Sequence, residues 1–286
     1  MTEEQARRRD GDRPPAADRS SRGGRPLVAI AYLVGLALGL PVAVLVIRAV
    51  VDGSLGVALG IRVVLDALGL SLVTTGASLV LTVVLGTPLA LALARRRFRG
   101  SSIVETVVDL PIVLPPSVAG LALLLLLGRR GVLGGAFEAF GIELPFTTAA
   151  VVIAQTFVSA PFFIRSARAG FAGVDRDLED AARTDGASEP QLFRAITVPL
   201  ASAALAAGLV MCWARSLGEF GATIMFAGNV EGQTQTLPLV VYGEFQGGDL
   251  DGSIAAAAIL VVAAVGVLVA VRALHWTRAL DVRGGA

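Results

Sequence analysis

The sequence contains no lysine, one cysteine and one histidine, and only 16% of its 286 residues are charged. A lone cysteine cannot close an intrachain disulfide, and nothing around Cys212 has metal-ligand spacing. His275, beside Trp276 just past the last apolar run, reads as an interfacial side chain at a helix end. One His and one Cys cannot build a catalytic cluster, so an enzyme is not expected. The absence of lysine also excludes a phosphate loop of the G-x-x-x-x-G-K-[ST] type, and no cofactor or nucleotide site is expected on this chain. So little charge argues against a soluble domain of this length, whose surface must be wetted. The net charge of +1 says little about partners, and no nucleic-acid partner is expected.

What the sequence has instead is apolar residues, 55% of the total, in long runs. Runs of about twenty residues match the hydrocarbon thickness that a helix must cross. Residues 1–25 are polar, with seven arginines, interspersed acids and Pro14-Pro15, a composition that cannot bury a core and predicts a disordered tail. The run from Pro26 to Val51 is too long for a signal-peptide core and predicts a first span that stays in the membrane. Five more spans are expected near Leu68–Ala94, Ile103–Leu127, Phe146–Phe163, Leu200–Phe226 and Ile254–Leu274. The fold class is therefore all-α and polytopic, with six transmembrane helices in one domain over 26–286. Gly35 and Gly39 in the first span match G-x-x-x-G, a face for close helix packing.

Arginine sets the orientation. The N-terminal tail, Arg95-Arg96-Arg97-Arg99, the stretch from Arg165 to Arg194, and Arg272, Arg278 and Arg283 fall on one side; the opposite loops hold only Arg62, Arg129 and Arg130. The positive-inside rule then puts both termini in the cytoplasm, as six spans require, and makes 169–199 a cytoplasmic segment in a multi-pass protein of the inner membrane. Within the third span, Pro111, Pro115 and Pro116 each remove a backbone donor. A break of that kind survives in lipid only where protein or a watery cavity satisfies the freed carbonyls. The prolines therefore read either as a packed kink or as part of a translocation path. In the fifth span, Arg215 and Glu219 stand four residues apart, so they can pair on one helix face. Intramembrane charges are costly unless paired or facing a cavity, which marks the two as gate candidates. Thr234, Gln235 and Thr236 in the outer loop are path-lining or receptor-facing candidates.

The cytoplasmic segment reads DLEDAARTDGASEPQLFRAITVPLA from Asp177 to Ala201. Leu178, Ala181 and Ala182 at helical spacing predict a short helix with one small apolar face, and Gly186 a sharp turn after it. Such a helix suits a groove on a partner. The string resembles the EAA loop of bacterial ABC importer permeases: Asp180-Ala181-Ala182, three residues, Gly186, nine residues, then Ile196-Thr197-Val198-Pro199. Asp180 stands where that pattern has Glu, with Glu179 adjacent, and Val198 where it has Leu. From Leu68 to Ala273 the chain is similar to the molybdate/tungstate permease family, through RRRFRG (Arg95 to Gly100), LPIVLPPSVAG (Leu110 to Gly120) and above all ARSLGEFGATIMFAGNVEGQTQTLPLVVY (Ala214 to Tyr242).

The resemblance implies a homodimer in membrane lipid, two ATPase subunits that carry ATP and Mg, and an extracytoplasmic oxyanion-binding protein. It assigns coupling to the ATPase to Glu179, Asp180, Ala181, Ala182, Gly186, Ile196 and Pro199. The related sulfate/thiosulfate permeases share a GEFG-type segment and supply the alternative substrate. A passive channel or ion-coupled carrier, the alternative of a different class, has no use for the loop from Asp180 to Pro199.

Overall fold

A computed structural model describes residues 20–284, apart from 55, 57–59, 96 and 97, with side chains described over 28–269 outside those gaps. The tail expected over 1–25 thus lies outside the described residues as far as residue 19, and the chain is helical from Ser20 onward. Two units divide between Ile47 and Arg48. The first carries most of α1 (Ser20–Val51), in which no described side chain up to Ile47 is buried. A helix that is apolar all round and uncovered suits hydrocarbon, not water.

The second unit holds α2 (Arg62–Arg95), α3 (Ser101–Val113), α4 (Pro116–Leu127), α5 (Gly134–Ala139), α6 (Thr148–Ala172), α7 (Arg176–Thr184), α8 (Glu189–Leu192), α9 (Val198–Leu217), α10 (Gly221–Phe226), α11 (Leu237–Gly247) and α12 (Leu250–Gly284). No strand occurs among the described residues. One turn of π-helix, Phe193–Thr197, joins α8 to α9, so 189–217 form one continuous apolar rod. Among the described residues five helices are long and apolar enough to cross a membrane, and six crossings result when the bent pair α3 and α4 is counted as one span.

α6 is the central post. Thr147 caps it by accepting the Ala150 N–H at 3.2 Å, and it packs against α2 and α9 through Ala90, Phe163, Ala167, Phe171, Ala201 and Cys212. Its first half meets α4 and α10 through Ala119, Leu123, Val151, Ala154, Ala222 and Phe226. A third cluster, including Val64, Ala67, Leu237, Val240 and Ala256, ties α11 and α12 to the start of α2.

Three expected spans are corrected. The third is not one kinked helix from Ile103 to Leu127 but two helices bent by 119°. Pro111 sits inside α3 without ending it; the break falls at Leu114 (ψ 135°) and Pro115 (ψ 134°), each pushed to extended backbone by the proline that follows. Pro116 then opens α4 at a position where its missing N–H costs nothing. Arg168 pairs with Glu105 (2.9 Å) and Arg165 approaches Asp109 (3.7 Å), while at the far end Arg129 pairs with Glu143 just ahead of α6. The pair thus starts beside one end of α6 and finishes beside the other. The fifth expected span, Leu200–Phe226, stops at Leu217, and Gly221–Phe226 is a separate short helix. The fourth runs further than Phe146–Phe163, to Ala172.

Candidate functional site: a clamped loop helix and two facing helix breaks

At the Arg95 end of α2, the loop after α6 folds into α7 and α8. Asp175 caps α7 by accepting the Asp177 N–H at 3.0 Å. Gly186, at φ +89°, ends it in a Schellman turn: Gly186 N–H donates to Arg183 O (3.1 Å) and Ala187 N–H to Ala182 O (3.0 Å). No atom lies where a Gly186 Cβ would go, so the demand for glycine is one of backbone angle. Around the turn, Arg183 donates to Asp180 (2.7 Å) and Glu189 (2.7 Å). The hydrogen bond from Arg183 holds the Glu189 carboxyl below the usual range, and both acids push the guanidinium further up.

The loop's two adjacent acids part company. Asp180 is exposed, whereas Glu179 is buried and its Oε1 accepts from both Arg95 (2.5 Å) and Thr197 (2.7 Å). Glu179 therefore pins α7 to the end of α2 and to the π-turn ahead of α9. The extra residue of that turn, closed by Val198 N–H to Phe193 O, aims Thr197 at the carboxylate. Leu178 and Ala181 face outward, Ala182 is half-buried, Ile196 lies in the π-turn, and Pro199 stands exposed in the first turn of α9. The small apolar face expected for the helix is thus presented, and the residue that anchors it was not singled out for that role by its spacing.

The second feature is where the broken helices touch. A Cβ on Gly120 of α4 would lie 2.5 Å from Ala222 O, and one on Gly221 of α10 would lie 2.8 Å from Pro116 Cβ. Pro116, at the start of α4, and Gly221, just past the break after α9, therefore meet in close contact. Glu219 lies in this second break, not within a span as expected. It is 1% exposed, its Oε1 accepts the Ala222 N–H at 2.7 Å, and its Oε2 lies 2.5 Å from Arg215. The expected Arg215–Glu219 pair forms, and the same carboxylate supplies the acceptor that starts α10.

Thr234 and Thr236 are buried in the chain and do not face an outside receptor directly. Thr234 Oγ1 accepts the Val230 N–H (2.9 Å), stapling its own loop, and Gln235 is half-buried beside it. Missed at the level of sequence was a hydroxyl stripe on α2, Ser71, Thr74, Thr75, Ser78 and Thr82, all buried. Its spacing of three and four residues was the available signal. Ser78 accepts from Thr156 (3.1 Å), Ser71 accepts the Leu237 N–H (2.8 Å), and Gln155 of α6 is fully buried with neither amide atom bonded. Among the described residues no group of acids, His or Cys is arranged to hold a metal.

Comparison with known proteins fits this geometry. Residues 86–278 match the family model for the binding-protein-dependent transport system inner membrane component. The molybdenum transport system permease protein ModB of Mycobacterium tuberculosis is 45% identical over 207 residues, 72% of this chain and 78% of that one. The protein of the same description from Escherichia coli K12 is 40% identical over 178 residues, 62% and 78% of the two chains. Among solved structures, a bacterial ABC transporter involved in the import of alginate superposes with a TM-score of 0.68 at 18% identity, over 87% of this chain and 94% of that one, a likeness of fold alone.

Proposed function

The chain belongs to the family of binding-protein-dependent transport system inner membrane components, and we propose that it is the permease subunit of an ATP-driven importer of molybdate or tungstate. Such a subunit is a translocation component and not an enzyme. The substrate reading rests on the named relatives, which are molybdenum permeases. The coupling reading rests on one observation: α7 is pinned from behind by buried Glu179 while Leu178 and Ala181 stay exposed. A short helix so held can fill a groove on a partner and pass its displacement to α2 and α9.

In this reading the subunit works as a pair in the inner membrane, with both termini and α7 in the cytoplasm. Two ATPase subunits carrying ATP and Mg dock on the α7 loops, and an extracytoplasmic binding protein delivers the oxyanion to the other face. This chain binds no cofactor of its own. Closure of the ATPases moves α7, and the helix breaks around Pro115, Pro116 and Glu219 alternate access to the path. A carboxylate such as Glu219 repels an oxyanion, so its part is to hold Arg215 and α10 and not to bind the cargo.

The test is ATPase activity of the reconstituted complex, with its ATPase and binding protein, titrated with molybdate, tungstate and sulfate. Stimulation by molybdate or tungstate at low concentration with sulfate inert is expected. Stimulation by sulfate alone would keep the importer and reassign its cargo. An assembled complex that responds to no anion would overturn the oxyanion reading.

A further inference from the structure

Three helices packed inside the second unit bury polar side chains against one another, and the printed contacts between them fix their register. α6 and α9 run antiparallel: Ser166 Oγ donates to Ala204 O (2.7 Å), Gly208 lies against Phe163, and the Cys212 thiol donates to Ser159 Oγ (3.4 Å). One turn further on, Ser216 of α9 comes level with Gln155 of α6, on the faces that carry Cys212 and Ser159. α2 runs parallel to α6, with Gly86 against Phe163 and Ile164, and with Ser78 accepting from Thr156 (3.1 Å). Thr75 and Thr82 stand one turn to either side of Ser78.

Thr75, Thr82, Gln155 and Ser216 are all buried, and their three hydroxyls and both amide atoms of Gln155 bond no protein group among the described residues. The Gln155 amide alone brings two donors and two acceptor sites, and each hydroxyl brings one donor and two more. Groups that stand level on packed helices without bonding one another directly are spaced for a bridging molecule. That molecule is small, because Val151, Ala154, Val158 and Cys212 around it are at most 2% exposed. It both donates and accepts, and it is neutral: this stretch of α2 and α6 carries no charged side chain, and the Glu219 carboxylate follows one turn after Ser216.

We propose that this seam is a binding site for ordered water, which bridges Gln155 of α6 to Ser216 of α9 and to the α2 hydroxyls of Thr75 and Thr82. The proposal goes beyond the transport reading and does not depend on which anion is carried. A buried water makes about three hydrogen bonds, donating and accepting, and so satisfies polar groups that do not reach one another. The alternative, a dry primary amide in an apolar interior, carries the full desolvation penalty of each of its atoms. The bridge ties the Leu217 end of α9, next to Glu219, to α6 and α2.

The test is X-ray hydroxyl-radical footprinting of the transporter, assembled with its ATPase in lipid nanodiscs and read by mass spectrometry. Radicals form wherever water sits and oxidise the side chains beside it. Cys212 is the reporter, fully buried against Ser159 and one turn from Gln155. Oxidation of Cys212 is expected in protein whose Cys212 does not react with N-ethylmaleimide. Ser216→Ala removes one hydroxyl and should lower that oxidation about fivefold, and Gln155→Leu should remove most of it. Ser216→Ala keeps the test decisive should Gln155→Leu not assemble. Thr106→Ala, whose hydroxyl bonds Ser102 O of its own helix, should leave the oxidation unchanged. Cys212 left unoxidised in the wild type would overturn the proposal, as would full oxidation in Ser216→Ala. So would suppression of the oxidation by molybdate, which would make the seam a contact for the transported anion.

Discussion

Replacing Glu179 by glutamine removes one charge and almost no volume from the point where three elements meet. The amide oxygen still accepts from Thr197, now 2.7 Å from the carboxylate, but Arg95 loses its only counter-ion among the described residues. Its side chain is 16% exposed and that of Glu179 6%, so solvent replaces little of the lost attraction. Breaking a fully buried pair costs about 3–5 kcal/mol; because Arg95 keeps 16% of its side chain exposed, about 2–3 kcal/mol is expected here. That cost falls on the seating of α7, since α6, α2 and α9 keep their own core. An opening equilibrium for α7 should therefore shift by about 30- to 150-fold. Amide hydrogen exchange on the detergent-purified protein reads it: amides of Asp180–Gly186 should exchange faster by that factor, while those of Val151–Ile164 stay put. Pairing Glu179→Met with Arg95→Met should restore much of the protection, because the buried charge is then gone from both sides. Unchanged exchange in α7, or an equal rise in α6, would refute the idea that this carboxylate pins the helix.

Gly186→Val forces a β-branched residue to φ +89° and should destabilise the turn by at least about 1–2 kcal/mol; uptake and ATPase docking are lost while membrane insertion persists, and Gly186→Asn recovers part of both. Gly120→Ala places a methyl 2.5 Å from Ala222 O, an overpacking that should lower the unfolding midpoint by about 1–3 kcal/mol equivalent and slow transport, as thermal denaturation and vesicle uptake would measure. Glu219→Gln keeps an acceptor for the Ala222 N–H but unpairs Arg215, so transport should fall with little loss of stability; Glu219→Ala should cost about 1–3 kcal/mol more, and an unchanged uptake rate in both would remove this residue from the gate. The Glu189 carboxyl is held down by Arg183, so its contribution to the α7–α8 turn is complete above the ordinary carboxylate pKa and is lost only as pH falls through the lowered folded value. Exchange protection of the turn should be flat from about pH 5 upward and drop in stronger acid, and Glu189→Gln should show no such acid step.

What the sequence made legible is what depends on neighbours along the chain. Apolar runs gave the spans, Leu178 with Ala181 and Ala182 gave the short loop helix, and Gly186 gave its turn, because each answers to a local rule of length, periodicity or backbone angle. Pro111, Pro115 and Pro116 announced a disturbance but not its size. The bend of 119° is held by Gly120 against Ala222 and Pro116 against Gly221, contacts between residues far apart in the chain. Glu179 and Asp180 are equivalent as letters, and only the fold decides that one meets Arg95 and Thr197 while the other meets solvent. For the same reason Thr234 could be placed in a loop but not recognised as a staple within it.

The two helix breaks are best understood as one device. α3 and α4 are the two pieces of one bent pair, and α9 ends at Leu217 ahead of the separate short helix α10; in lipid, such helix ends are sustainable only if the freed backbone groups find partners within the protein. Glu219 supplies one such partner to α10, and its charge is in turn balanced by Arg215 on α9. With glycine at positions 120 and 221, α4 and α10 approach so closely that a Cβ at either position would overlap Ala222 O or Pro116 Cβ. α9 carries that contact at one end, and at the other it continues into the π-turn whose Thr197 bonds Glu179. α9 thus joins the residue that pins α7 to the contact between α4 and α10, and each of its ends is fixed by a buried carboxylate.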